Sequence, residues 1–151
     1  LVHAWRLKRW KGQMTFSEGL VAILHIAYAF LVLGFLAIAA AALGLMEQVA
    51  ALHVLTVGSI GTMTLAVMTR ATRGHTGLEL HASGITVASY GTIVVSALLR
   101  PATAFFPELY LGLVSLAGCL WMIAFALYLV EYARPLTSTR KDLPIARNKV
   151  S

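Results

Sequence analysis

His25, His53 and His75 are the residues of this sequence best suited to chemistry, because imidazole serves either as a proton carrier near neutral pH or as a metal ligand. Two of them stand in long stretches without a charged residue: His25 between Glu18 and Glu47, and His53 between Glu47 and Arg70. An ionisable side chain in so apolar a run is a hydrogen-bonded structural group, a proton relay or a metal ligand, and the spacing alone leaves all three open. Arg70 and Arg73 are three apart, so on a continuing helix they present two guanidinium forks on one side, suited to carboxylates or phosphates such as the propionates of a haem. The simpler reading is that both reach for lipid phosphate. His75 and His81 are six apart, which matches no usual zinc spacing. Cys119 is the single cysteine, so neither a disulfide nor a cysteine-based metal site is available within the chain. The sequence contains no motif of a soluble enzyme, since Gly74-His-Thr-Gly77 is too short to cradle a nucleotide.

The elements that position these residues follow from where charge is missing. Of the 151 residues 59% are hydrophobic and 12% charged, against about 25% charged in an ordinary soluble domain. A mean hydropathy of +0.80 leaves too little polar surface for a water-soluble fold, which points to lipid as the solvent. Four segments are free of charge and long enough to cross a bilayer: 19–46, 48–69, 80–99 and 109–130. Their continuous apolar runs lack the period-two alternation of a membrane barrel, and helices satisfy their own backbone groups. The expectation is an all-α integral membrane helical bundle with four transmembrane helices at about 19–46, 48–69, 80–99 and 109–132.

An even number of spans puts both termini on one face. Eleven of the twelve Lys and Arg then share that face (Arg6, Lys8, Arg9, Lys11, Arg70, Arg73, Arg134, Arg140, Lys141, Arg147 and Lys149), with only Arg100 opposite. The positive-inside rule makes that face cytoplasmic. The chain divides accordingly into a basic cytoplasmic segment, 1–18, a four-helix membrane region, 19–133, and a basic cytoplasmic tail, 134–151. The basic residues are spread over short juxtamembrane stretches, which argues against a nucleic-acid partner. The basic start is followed by an apolar run too long for a signal peptide. Thr15-Phe-Ser-Glu18 is expected to open the first span, Gly74 and Gly77 to interrupt the chain after the second, and Arg100-Pro101 to stop the third. Trp5, Trp10, Tyr110, Tyr128 and Tyr132 fall near span ends, where aromatic rings favour the headgroup zone.

At 1.5 Å per residue, His25 lies about 10 Å in from one surface and His53 about 9 Å in from the other, so the two do not ligate one ion together. On the second span, Gly58, Gly61, Leu65 and Met68 read as a packing face, and His53, Thr56, Val57, Ile60 and Thr64 as the wall of a pocket. His25, Tyr28, Ala29 and Val32 share a face of the first span. Two such walls suggest an intramembrane cofactor more than a lipid-facing anchor.

The string from His53 to Arg70 (HVLTVGSIGTMTLAVMTR), continued by Ala-Thr-Arg-Gly74-His75-Thr-Gly77, resembles the signature of the NnrS family of bacterial membrane proteins. Leu24-His25-Ile-Ala-Tyr28, and Trp121 followed by Ala124-Phe125, are similar to that family's carboxy-terminal portion. The resemblance implies a multi-span inner-membrane protein that contains haem and copper and takes part in the response to nitric oxide. It also implies that amino-terminal helices of the same protein complete the sites, in keeping with Leu at position 1. By position, His25, His53 and His75 become candidate haem or copper ligands, with Arg70 and Arg73 beside them as cofactor-binding candidates. Imidazole suits both metals.

The leading expectation is therefore a haem- and copper-containing protein of the bacterial cytoplasmic membrane, acting on or responding to nitric oxide or a related small molecule, in tolerance or nitrogen-oxide metabolism. Two other classes remain: a proton-coupled transporter or channel using His25 and His53 as relays, and a structural membrane subunit. Colour separates the first from the others, since only a haem protein carries a chromophore.

Overall fold

In a computed structural model, residues 2–10 and 18–138 are described, and within them every regular element is helical. A short helix α1 (Val2–Arg9) is followed by α2 (Gly19–Ala42), which forms the first span. The second span, Gln48–Thr76, is one continuous helix in three parts: α3 (Gln48–His53), a π-helical segment (Val54–Gly61) and α4 (Thr62–Thr76). The third is α5 (Gly84–Ala102), and the fourth is a 3-10 turn (Pro107–Leu109) leading into α6 (Tyr110–Thr137). These four helices are long and apolar enough to cross a membrane, as the charge-free segments predict.

Capping chemistry explains the boundaries. Gly74 does not interrupt the chain as expected; it lies inside α4, and the helix runs on to Gly77, whose φ of 74° is the left-handed conformation that glycine adopts without strain. The Leu78 amide donates to the Arg73 carbonyl at 3.0 Å and closes that end. The third span begins at Gly84 rather than residue 80, because the Ser83 hydroxyl accepts the Thr86 amide at 3.1 Å as an N-cap. Pro101 sits in the last turn of α5, which ends one residue later. At the first span Glu18 occupies the N-cap position without a side-chain cap; Thr15, Phe16 and Ser17 lie outside the described residues. So do residues 139–151 of the tail.

Packing runs in sequence order. α2 lies against the second span, α5 against the π segment and α4, and α6 against α5 in the most extensive helix pair, with α4 also touching α6. A core of Leu20, Ile23, Leu65, Ala66, Tyr90, Ile93, Ala124, Tyr128 and Tyr132 joins all four spans, and a smaller cluster of Phe30, Val54 and Ala97 lies nearer the other end. The α5–α6 seam is antiparallel and hydrogen-bonded: Ser89 donates to the Ala124 carbonyl and Ser96 to the Ala117 carbonyl, each at 2.7 Å. The two bonds are one heptad apart on both helices, the spacing that keeps a left-handed seam in register. Leu36, Leu111, Met122 and Val130 point outward, which suits a lipid-facing surface. α1 lies alongside α2 rather than apart from it, with His3 hydrogen-bonded to the Tyr28 hydroxyl at 2.8 Å and Trp10 against Tyr28.

Small residues allow the first two spans to approach. A Cβ placed on Gly58 would stand 2.6 Å from Phe30 Cδ1, and one on Gly34 would stand 3.1 Å from the Leu55 backbone. The π segment removes the expected alignment of His53, Thr56, Val57, Ile60 and Thr64. Its i to i+5 winding turns the helix less per residue than α-helical spacing assumes. Thr56, Ile60 and Thr64 are exposed, and only His53 and Val57 share a pocket. The face of Gly58 and Leu65 does pack inward.

Gly58→Ala should lower the stability of the purified protein by about 1–3 kcal/mol through overpacking against Phe30. Gly74→Ala, with nothing within 4 Å of the added methyl, should be neutral or raise it by up to about 1 kcal/mol through helix propensity. Unfolding midpoints in detergent distinguish the two, and equal shifts would show that the Gly58 contact is unimportant.

Candidate functional site

The bundle presents two chemically distinct ends. At one, α3 begins, α5 finishes and α6 starts. There His53 and Val57 from the second span, Ser96 and Arg100 from α5, and Val114, Ala117, Gly118 and Trp121 from α6 line a mainly apolar cavity of about 260 Å³. The His53 Nδ1 donates to the Val49 carbonyl one helical turn back, at 2.7 Å. A carbonyl only accepts, so Nδ1 carries a proton, and in the neutral ring the lone pair is on Nε2. This is the arrangement in which an imidazole presents one nitrogen to a metal while the other fixes ring and tautomer. Ser96 is buried and spends its proton on the Ala117 carbonyl. Arg100 makes one long contact, Nη1 to Thr103 Oγ1 at 3.5 Å.

His25 repeats the pattern at the opposite end. Its Nδ1 donates to the Val21 carbonyl at 3.0 Å, the ring is half-buried, and Trp10 meets it edge to face with ring centres 5.9 Å apart. His75 is exposed on the last turn of α4. The three histidines are thus on separate parts of the bundle. Among the described residues no group of three His, Cys, Asp or Glu side chains is placed to hold a metal ion.

Arg70 and Arg73 do lie on a continuing helix, but they diverge in environment. Arg70 is exposed. Arg73 is turned inward and taken up by other groups, its Nε donating to the Glu79 carbonyl at 2.8 Å and its Nη1 to Glu131 Oε1 at 3.0 Å and to the Tyr132 hydroxyl at 2.9 Å. Glu131 also accepts from Ser83 at 2.6 Å on Oε1 and from Thr86 at 2.7 Å on Oε2. Because Thr86 donates to the carboxylate and Arg73 to Tyr132, the 2.7 Å bond between Thr86 and Tyr132 has the tyrosine as donor. Proton directions among Thr86, Tyr132 and the carboxylate are therefore fixed, and Ser83, which lies 2.6 Å from Glu131 Oε1, also has Thr86 Oγ1 within reach at 3.3 Å. Two further pairs, Thr72 with Tyr128 and Thr69 with Tyr90, continue it along α4.

Sequence reasoning did not single out Glu131, Ser83, Thr86, Ser96 or His3. For Glu131 a signal existed, a lone carboxylate inside an apolar span between Tyr128 and Tyr132. A span acid requires a partner, and Arg73 is the half-buried cation that supplies it. Arg100 stood out only as the odd cation of its face, and nothing in its spacing linked it to His53.

Residues 1–140 match the family described as NnrS protein. The chain belongs to the NnrS family. No curated protein and no solved structure matches it. The family match takes in every element described above, from α1 to α6, including all of His25, His53, His75, Arg70 and Arg73. NnrS membership agrees with the four membrane-spanning helices and with the all-helical architecture.

The Arg73–Glu131 pair, with side chains only 11% and 14% exposed, should behave as a buried ion pair. Glu131→Ala should cost about 3 kcal/mol, because it strands the guanidinium, while the double replacement Arg73→Met with Glu131→Leu should recover most of that loss. The unfolding midpoints of the single and double variants measure this; a double variant as unstable as Glu131→Ala would refute it.

Proposed function

We propose that the chain forms part of a haem- and copper-containing protein of the bacterial inner membrane, with both described ends facing the cytoplasm, that acts in nitric oxide response, tolerance or nitrogen-oxide metabolism. The observation that carries this reading is the His53 imidazole, whose Nδ1 is bonded to the Val49 carbonyl and whose Nε2 remains free beside an apolar cavity. Family membership supplies the context. The excess of Lys and Arg on one side supports the orientation.

The donor set fits haem better than a copper site made only of protein. A haem would need as little as one protein nitrogen, which His53 or His25 would offer. Copper bound by side chains alone needs several donors together, and the described residues do not assemble them. When bound, a haem supplies an iron that takes up a diatomic gas. The chain's own residues define the surroundings: the Val49 carbonyl orients the His53 ring, and Val57, Val114, Ala117 and Trp121 give the cavity an apolar lining. Arg73 is committed to Glu131, so at the other end it serves the fold, while Arg70 is left at the surface.

The test is an optical spectrum and metal analysis of the purified full-length protein. A Soret band is expected, and His53→Ala should bleach or shift it. An unchanged spectrum in that variant removes His53 as a ligand, and the absence of both a Soret band and copper in the wild type overturns the proposal. A proton-coupled transporter would instead show pH-dependent flux in proteoliposomes without colour.

A further inference from the structure

Arg100 has no charged partner among the described residues. It is half-buried at the end of a membrane-spanning helix, and it lines the cavity that His53 lines. Its one side-chain hydrogen bond among the described residues is the 3.5 Å contact to a neutral hydroxyl. The ion pair found among the described residues uses Arg73, not Arg100. Within a bilayer such a cation is ordinarily paired, because leaving a guanidinium in apolar surroundings without an anion is costly. Its neighbours do not neutralise it: the Ser96 hydroxyl, which donates to the Ala117 carbonyl, is uncharged, and Val57, Val114, Ala117, Gly118 and Trp121 contribute no acceptor side chain. The His53 imidazole supplies no negative charge.

We propose that this cavity is an anion site in which Arg100 holds a carboxylate-like monoanion beside the His53 imidazole. The planar guanidinium offers parallel N–H donors that match two oxygens of one carboxylate. The volume of about 260 Å³ is below the usual range for a whole drug-sized ligand, so it admits a small anion or one charged edge of a larger group. Two sources share this chemistry: a carboxylate side arm of the cofactor bound at His53, or a free small carboxylate or oxyanion. The first rests on the haem reading given above, whereas the second stands without it. In either case Arg100, rather than Arg70 or Arg73, is the cation available to a ligand of His53, since Arg73 is neutralised by Glu131 and belongs to the opposite end of the bundle.

The experiment uses the full-length protein in detergent, with Arg100→Gln, the charge-preserving Arg100→Lys and His53→Ala. Haem release to an excess of a haem scavenger is timed, and separately the haem-free protein is titrated with formate while tryptophan fluorescence is followed, with Trp121→Phe identifying the cavity signal. If the anion is a cofactor carboxylate, Arg100→Gln keeps its Soret band but releases haem about tenfold faster, the effect of losing one charge-assisted contact, and Arg100→Lys is intermediate. If the anion is free, haem release is unchanged and the saturable response to formate, present in the wild type, is lost in Arg100→Gln and weakened in Arg100→Lys. Either result supports the site. Unchanged haem release together with no Arg100-dependent formate response overturns it and leaves Arg100 as a contact to lipid phosphate. A normal spectrum in His53→Ala defeats the haem reading alone, and the formate titration then decides the anion site by itself.

Discussion

The carboxylate of Glu131 is the group on which the arrangement of three spans depends. It accepts from Arg73 at the end of α4, from the Ser83 cap before α5 and from Thr86 in the first turn of α5, while itself belonging to α6. An ionised carboxylate within an apolar span is tolerable only when its charge is paired and its oxygens are hydrogen-bonded, and here both conditions hold. Lipid supplies no hydrophobic force between helices, so specific polar contacts of this kind and close backbone approach must do what core burial does in water. The Tyr132 hydroxyl, bridging Arg73 and Thr86, locks the same three helices a second time.

Away from that anchored end the spans are held by smaller contacts. Ser89 and Ser96 hold α5 to α6 along one seam, and Gly34 and Gly58 let α2 meet the second span. At the far end the helices leave the cavity of His53 and Arg100 between them. The polar groups of the bundle thus differ between its ends: the satisfied Glu131 cluster and His25 at one, and His53 with Arg100 around a shared cavity at the other.

Much of this was readable in the sequence. The four spans follow from charge-free length, and the packing role of Gly58 and Leu65 follows from helical spacing. The identity of the candidate ligands was also visible, because imidazoles in apolar runs are conspicuous. Three things were not. The capping by Ser83 and the passage of the helix through Gly74 depend on local hydrogen bonds that composition does not reveal. The pairing of Arg73 with Glu131 joins residues 58 apart, so their adjacency is a product of tertiary packing. The expected His53 wall failed because helical spacing was assumed through Val54–Gly61, where the winding changes. A π segment carries no periodic signature of its own, and its eight residues look in sequence like any small, hydroxyl-rich stretch of a membrane helix.

That segment makes the second span a jointed rod. α4 is fixed through Thr69, Thr72 and Arg73 to the anchored cluster, whereas α3, with His53, packs against α2 and α5. The wider turns between Val54 and Gly61 set the angle about the span axis at which His53 stands relative to Arg73, an angle that unbroken α-helical winding would not give.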